Sequence, residues 1–276
     1  MLTIATWNIN SVRLRLGLVE CVLAAFAPDI LCLQETKCPD DRFPLKAFAA
    51  MGYAHVATHG QRGYHGVATV SRLPFDSIER RCFCGKDDAR HLATTFSPDG
   101  AGAITLHNFY VPAGGDEPDP VTNEKFAHKL RFLDELTGWF AGAPALAAEP
   151  RILVGDLNIA PLEHDVWSHR RLLKVVSHTP IEVDRLRAMQ SAGGWIDVMR
   201  AHVPETEKLF TWWSYRAHDW RLSNRGRRLD HVWVSPPLAP CSTGISVVDA
   251  ARAWERPSDH APVLAHFDLR RCRPLP

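Results

Sequence analysis

Eight short strand-like runs, mostly bounded by Gly, Pro, Asn or Asp, recur along the chain with too few helical stretches between them to supply one crossover helix each. They cover Thr3 to Trp7, Ile30 to Leu33, Gly66 to Ser71, His91 to Phe96, Ile104 to Tyr110, Ile152 to Val154, Asp230 to Ser235 and Val263 to Phe267. Three helical patterns stand out. Leu16, Val19, Leu23 and Phe26 share a face before Pro28, and Phe126, Leu130, Leu133 and Phe140 mark a second helix. Thr179, Pro180 and Glu182 form an N-cap, a first-turn proline and a capping box for a third, which Gly193-Gly194 stops. A doubly wound parallel sheet needs more crossovers than this. The pattern predicts an α/β chain of paired sheets with helices outside. A chain of 276 residues, 46% hydrophobic, can bury roughly three quarters of its unfolded surface without a staple. No repeat or linker interrupts it, "AGAPALAAEP" (Ala141 to Pro150) being only a loop, so one domain over residues 1–276 is expected.

A formal net charge of +1 gives no whole-molecule attraction for a polyanion, so any basic surface must be local. Seven cysteines include no C-x-x-C pair, and Cys82 and Cys84 are too close for an ordinary bridge; reduced thiols in a cytoplasmic protein are expected. The opening "MLTIATWNIN" alternates like a strand rather than a signal peptide. No apolar run approaches the ~18 residues of a membrane span.

Polar residues recur where apolar runs end. In "RILVGDLNIAP" a buried run, Ile152 to Val154, meets Gly155, a bend, then Asp156 and Asn158, which an extended chain would point the same way. Pro161 prevents continuation in a central strand. Elsewhere "TWNINS" offers Asn8 and Asn10, "LCLQET" Glu35, "HNFYVP" Tyr110, "RRLDHV" Asp230, and "PSDHAP" Asp259 and His260. Each alone is ordinary: a turn asparagine, a solvated carboxylate, a core tyrosine. Together, gathered at one sheet edge, their oxygens suit a hard cation such as Mg²⁺ or Mn²⁺. Zinc fits less well, because no paired His/Cys ligand spacing occurs.

The pieces "WNINSVR", "LCLQETK", "NFYVPAGG", "ILVGDLNIAP", "FTWWSYR", "NRGRRLD" and "SDHAPV" follow one another along nearly the whole chain. In that order they resemble the exonuclease III family of abasic-site DNA endonucleases, within the endonuclease/exonuclease/phosphatase superfamily. The resemblance implies a four-layered α/β sandwich, two face-to-face mixed β-sheets flanked by helices, with the site at one edge. It implies Mg²⁺-dependent hydrolysis (Mn²⁺ as an alternative) 5′ of abasic sites in duplex DNA, with 3′-5′ exonuclease and 3′-phosphatase or phosphodiesterase activity. The implied partner is double-stranded DNA with abasic sites or blocked 3′ ends, met by a monomer that has no membrane role. Glu35 would be the chief metal ligand, with Asn8 and Asp259 at the metal, and Asp156, Asn158 and His260 within reach of it. Asp156 would position or deprotonate the attacking water, Asn158 would hold it or a phosphate oxygen, and Tyr110 would hydrogen-bond the phosphate. His260, oriented by Asp230, would contact the scissile phosphate or act as base. Trp212 and Leu229 would line a pocket for a flipped-out abasic sugar, which is extruded at least expense where a base is missing. Asn224 is a further candidate DNA contact, and Arg221, Arg225, Arg227 and Arg228 are candidates for backbone phosphates; Arg90 and the stretch Ser168 to Lys174 are candidates that read more simply as ordinary surface charge. Tyr215 is expected in the core.

The chemistry demands such a set. Uncatalysed phosphate ester hydrolysis leaves enzymes up to about 23 kcal/mol or more to supply, of which a general base gives roughly 3–5 kcal/mol. A metal and fixed donors must supply much of the rest. The chain departs from the family pattern at Asn10, where some members have an acid, at Ser214 in "WWSYR", and at Arg227, where some relatives are apolar. The alternative function is a superfamily phosphatase acting on a small or lipid phosphoester, against which the aromatic and basic "FTWWSYR" and "NRGRR" stretches argue.

Overall fold

A computed structural model describes residues 1–98, 102–142, 148–217 and 219–272; half of the expected loop at Ala141 to Pro150 lies outside them. Fourteen strands and seven α-helices alternate among these residues. One six-stranded sheet takes β1 (Leu2–Asn8), β2 (Ile30–Gln34), β3 (His55–His59), β4 (Val67–Ser71), β13 (Ser242–Val247) and β14 (Val263–Phe267) in the order β13-β14-β1-β2-β4-β3. The other takes β5 (Ser77–Arg80), β6 (His91–Phe96), β7 (Ile104–Tyr110), β8 (Arg151–Asp156), β9 (Ile196–Asp197) and β12 (Asp230–Val234) in the order β5-β6-β7-β8-β12-β9.

The two sheets are wired alike. In each, one central pair is parallel, β1 with β2 and β7 with β8, and every other pairing is antiparallel. They pack face to face over a shared apolar layer that includes Ile4, Ile30, Leu106, Ile152 and Val232. Outside the first sheet lie α1 (Leu16–Phe26) and α2 (Leu45–Ala50), sealed by Trp7, Val19, Leu33 and Phe48. Outside the second lie α3 (Glu124–Ala141) and α5 (Pro180–Ala192), sealed by Phe109, Leu133, Leu153 and Leu186. These four layers are the expected sandwich.

Local chemistry explains the helices. At α5 the Thr179–Glu182 capping box and Pro180 are in place, and Gly193 ends the helix. In α3 Phe126, Leu130, Leu133 and Phe140 all face inward, as their spacing predicts. α1 is rotated slightly from the expected face: Val19, Val22 and Leu23 are buried whereas Phe26 is 41% exposed. Phe26 occupies the last helical turn, where Ala27 leaves in a left-handed conformation before Pro28.

Two expectations are corrected. Gly155 does not end its strand. β8 runs on through Asp156, paired with β7 and β12, and Gly155 adopts φ 136° where an added Cβ would stand 2.0 Å from the Phe109 carbonyl oxygen. Glycine here permits close approach of two backbones rather than a bend. Nor are all seven cysteines free thiols: Cys241 and Cys272 form a disulfide, with Cα atoms 5.4 Å apart, while Cys21, Cys32, Cys38, Cys82 and Cys84 are free. A pairing across 31 residues leaves no local spacing signature.

Candidate active site

The two parallel central pairs end at the same edge of the sandwich, and the antiparallel β12 and β14 begin there. That topology brings Asn8, Glu35, Tyr110, Asp156, Asp230, Asp259 and His260 together, though the sequence spreads them over more than 250 residues. A cavity of about 650 Å³ opens at this edge, with Glu35, Asp156, Asn158, Asp259 and His260 in its wall.

At its floor the ends of β1 and β8 use one device. The Asn8 Oδ1 accepts the Asn10 backbone N–H at 3.1 Å, and the Asp156 Oδ1 accepts that of Asn158 at 2.9 Å. Asn10 and Asn158 both take left-handed φ, 47° and 55°, which asparagine tolerates. Asp156 and Asn158 therefore meet through a tight turn, not through the alternation of an extended strand. The Asn158 Nδ2 donates to the Asp156 Oδ2 at 3.1 Å and to the Val111 carbonyl at 2.9 Å. The Asn8 Nδ2 donates at 2.9 Å to both Glu35 Oε1 and Asp156 Oδ2, joining the two sheets.

His260 lies between two acids. Its Nδ1–H donates to Asp230 Oδ2 at 2.8 Å, and its Nε2 stands 3.6 Å from Asp156 Oδ2. Burial would favour the neutral ring, but the Asp230 and Asp156 carboxylates outweigh it and raise the imidazole, so that it carries a proton at neutral pH. Asp156 moves up as well, because burial and the charges of Asp230 and Glu35 overcome the opposing pull of His260 and Asn8. Glu35 goes the other way: against the effect of burial, Lys37 (Nζ to Oε2 2.9 Å) and Asn8 hold it below the usual range. Tyr110 is pushed well above the phenol range by burial and by Glu35 and Asp156, so its hydroxyl is a neutral donor.

Several residues that frame the site have no role legible in the sequence, although Trp7, Thr211 and Ser258 stand inside the pieces that carry the resemblance. The Ser258 hydroxyl donates to the Asn8 carbonyl at 2.6 Å and accepts the His260 N–H at 3.2 Å, while the Trp7 indole donates to the His260 carbonyl at 2.9 Å. The Thr211 Oγ1 accepts the backbone N–H groups of Leu229 and Asp230 at 3.0 and 3.1 Å. Beneath Asn158, the fully buried Lys129 donates to the Asn158 carbonyl (2.8 Å), the Ala113 carbonyl (3.2 Å) and Glu182 (2.5 Å).

The far side of the cavity is aromatic and basic. A two-stranded ribbon, β10 (Trp212–Trp213) with β11 (Gly226–Arg227), sets Trp212 opposite Arg227. Trp212 and Leu229 line the cavity, and the Trp212 indole donates to Asp259 Oδ2 at 2.9 Å. Arg225 is exposed, its guanidinium 5.0 Å over the ring of Trp167, a wall residue that drew no notice in the sequence. Asn224 caps α7 (Trp220–Ser223) in a left-handed conformation and accepts from the Trp213 indole at 3.1 Å. Arg221 stays exposed.

Three expected positions serve the protein interior or the rim instead. Arg228 is fully buried, bidentate to Asp165 at 2.7 and 2.9 Å and bonded to Asp197 at 2.7 Å, so it is not available to a backbone phosphate. Arg90 is buried behind Tyr110, 5.0 Å from its ring centroid, and is paired with Asp88. Tyr215 is half exposed, its hydroxyl donating to the Pro257 carbonyl at 2.8 Å, and so is not a core tyrosine.

A divalent cation fits this donor set. Glu35, Asp156 and Asp259 bring carboxylates and Asn158 an amide oxygen to one cavity wall, as a hard ion requires, while the buried Asn8 donates to Glu35 and Asp156 from behind that wall. Asp156, Asp230 and His260 also group their ligand atoms within 4.8 Å of one another, although Asp230 is engaged with His260.

Comparison with known proteins accords with the geometry. The model of a family described as the endonuclease/exonuclease/phosphatase family matches residues 5–260. Exodeoxyribonuclease III of Haemophilus influenzae is 31% identical over 274 residues, 95% of this chain and 98% of the relative. The DNA repair nuclease APEX1 of Danio rerio is 28% identical, covering 94% of this chain and 80% of its own. Among solved structures, an AP endonuclease from Archaeoglobus fulgidus superposes with TM-score 0.88 at 31% identity, over 97% of this chain and all of that one. A 3′ phosphatase from Neisseria bound to a product DNA hairpin superposes with TM-score 0.87 at 31% identity, with the same coverage. A likeness that runs through both sheets and the strand ends between them makes this chain a member of the endonuclease/exonuclease/phosphatase family, in the branch of exodeoxyribonuclease III and the AP endonucleases.

Proposed function

We propose that this chain, acting as one domain and as a cytoplasmic monomer, is a Mg²⁺-dependent DNA-repair phosphodiesterase. Its substrates are duplex DNA cut 5′ to abasic sites and 3′ ends that carry blocking groups or terminal nucleotides. The observation that carries this is the polarity of one cavity: carboxylates and a charged histidine at one end, aromatic rings and guanidinium groups at the other. The first end suits phosphorus, the second a nucleotide unit and its backbone.

Glu35, with Asn8 and Asp259 beside it, would hold the cation, and Asp156, Asn158 and His260 border the same space. The ion, when bound, supplies Lewis-acid stabilisation of phosphate charge. The chain's own groups do the rest. Asp156, raised toward neutrality yet a carboxylate above its own pKa, orients a water and takes its proton. His260, kept charged by Asp230, donates through Nε2 to a phosphate oxygen as negative charge grows there. The Tyr110 hydroxyl adds a neutral donor, and the Asn158 amide, whose two N–H groups hold the Val111 carbonyl and Asp156, keeps Asp156 aimed at the water. Trp212 and Leu229 receive the extruded sugar.

The test is cleavage of a duplex oligonucleotide with one abasic analogue, with Mg²⁺ and with EDTA, beside Asp156→Ala. A nick at the lesion that needs both metal and Asp156 is expected. A protein that neither nicks nor binds the duplex would redirect attention to small phosphoesters.

A further inference from the structure

The sugar end of the cavity contains a positive charge that a neutral sugar does not need. Arg227 is half-buried and is held across the ribbon from Trp212. Its guanidinium lies 5.2 Å from that ring, and Nη1 donates to the Val176 carbonyl at 3.0 Å and to Ser177 Oγ at 2.7 Å. Those bonds fix its direction but use one nitrogen. The Nε atom is buried with no partner among the described residues, and Nη2 makes no hydrogen bond to any of them. An orphaned donor on a cavity wall is an incomplete site, because a buried N–H left unpaired is unfavourable until an acceptor arrives.

Resting on the activity proposed above, we infer that Arg227 is a specificity-determining residue: it selects 3′-blocked ends whose remnant ends in a carboxylate, such as a two-carbon phosphoglycolate, over the neutral abasic sugar. A deoxyribose offers this wall carbon and hydroxyl groups and leaves the guanidinium without a charged hydrogen-bond acceptor, the nearby Glu182 being bonded to Lys129. A carboxylate one or two carbons beyond the scissile phosphate offers it a charge-assisted partner. Glu35, Asp156 and Asp259 at the reacting end, and Asp116 in the wall, would repel such a ligand; Arg227 offsets them where the carboxylate lies. Arg216 and Arg225 also line the cavity but are exposed, so water screens their charge more than that of Arg227. The reaction is the same hydrolysis. Water oxygen bonds to phosphorus, the P–O3′ bond breaks, and O3′ leaves with the electron pair and takes up a proton, giving 3′-hydroxyl DNA and the free phosphoglycolate.

Single-turnover cleavage would be compared on three nicked or intact duplexes: a 3′-phosphoglycolate, its neutral 3′-phosphoethanol counterpart, and an internal tetrahydrofuran abasic analogue. Wild type should favour the carboxylate over its neutral counterpart, and Arg227→Leu should cut that preference about tenfold to a hundredfold, the range of one charge-assisted hydrogen bond. Arg227→Lys should restore part of it, which a purely structural defect would not allow. Equal rates on the charged and neutral ends in wild type, or an unchanged ratio in Arg227→Leu, would overturn the assignment of Arg227 while leaving the nuclease intact. Failure of wild type to cut any of the three would overturn both this assignment and the proposed activity.

Discussion

Replacing Lys129 with methionine probes how the site is supported from below. The side chain is completely buried, and its ammonium group joins Glu182 at the start of α5 to the carbonyls of Ala113 and Asn158. Glu182 in turn accepts from the Ser177 and Thr179 backbone and the Thr179 hydroxyl. Methionine fills most of the volume but leaves a buried carboxylate without its counter-charge, a loss of about 3–5 kcal/mol. At roughly 2–4 °C per kcal/mol for a chain of this class, Tm should fall by about 6–20 °C. Glu182→Gln alone should destabilise too, and the double variant should lose about 1–3 kcal/mol less than the sum, since each single change strands the other partner. Urea melts of the four proteins give the cycle. Turnover should fall as well, because the Asn158 carbonyl loses the donor that anchors its turn. A Tm within 2 °C of wild type at about 1 kcal/mol or less of destabilisation, or strict additivity, would refute the view that this pair is a buried, coupled support.

Other outcomes follow from the geometry. Asp230→Asn should shift the alkaline limb of kcat/KM to lower pH by at least about one unit, the equivalent of ~1.4 kcal/mol. The raised His260 holds its proton below its pKa and loses it above, and Asp230 is a main cause of the elevation. The acid limb should move the same way, since the Asp230 charge also raises Asp156; a full pH profile checks both. Gly155→Ala should destabilise by more than about 1 kcal/mol and slow cleavage, because its Cβ would sit 2.0 Å from the Phe109 oxygen; denaturant melts and turnover assays read each effect. Arg225→Ala should lower the slope of log affinity against log salt by about 0.9 with an unchanged Tm. Arg228→Leu should do the reverse, lowering Tm by breaking its buried pairs to Asp165 and Asp197.

All eight strands legible in the sequence are interior strands of the two sheets: β14, β1, β2 and β4 in one, β6, β7, β8 and β12 in the other. Both faces of such a strand are covered, so it reads as an apolar run bounded by turn residues. The edges β3, β5, β9 and β13 went unseen. β5 is exposed throughout and β13 half exposed, and a strand with one free margin need not be apolar. The site residues were visible for a related reason: a polar residue just beyond an apolar run marks a strand end. Arg228 misled because it stands among surface arginines in the chain, and nothing local reveals that Asp165 and Asp197 wait for it inside. The roles of Ser258, Thr211 and Trp167 were not legible because their contacts join segments far apart in sequence.

The matching wiring of the two sheets has a mechanical consequence. The Asn8 amide bridges Glu35 on its own sheet and Asp156 on the other at 2.9 Å each, so the floor of the cavity is a seam between two separately paired slabs. A slip of one slab along the other by a single residue, ~3.3 Å, would part that seam while leaving each slab's own ladder whole. The apolar layer between them therefore keeps alignment as well as stability. Repacking at Ile4, Ile30, Leu106 or Ile152 should appear in turnover before it appears in melting, although none of the four touches the cavity wall.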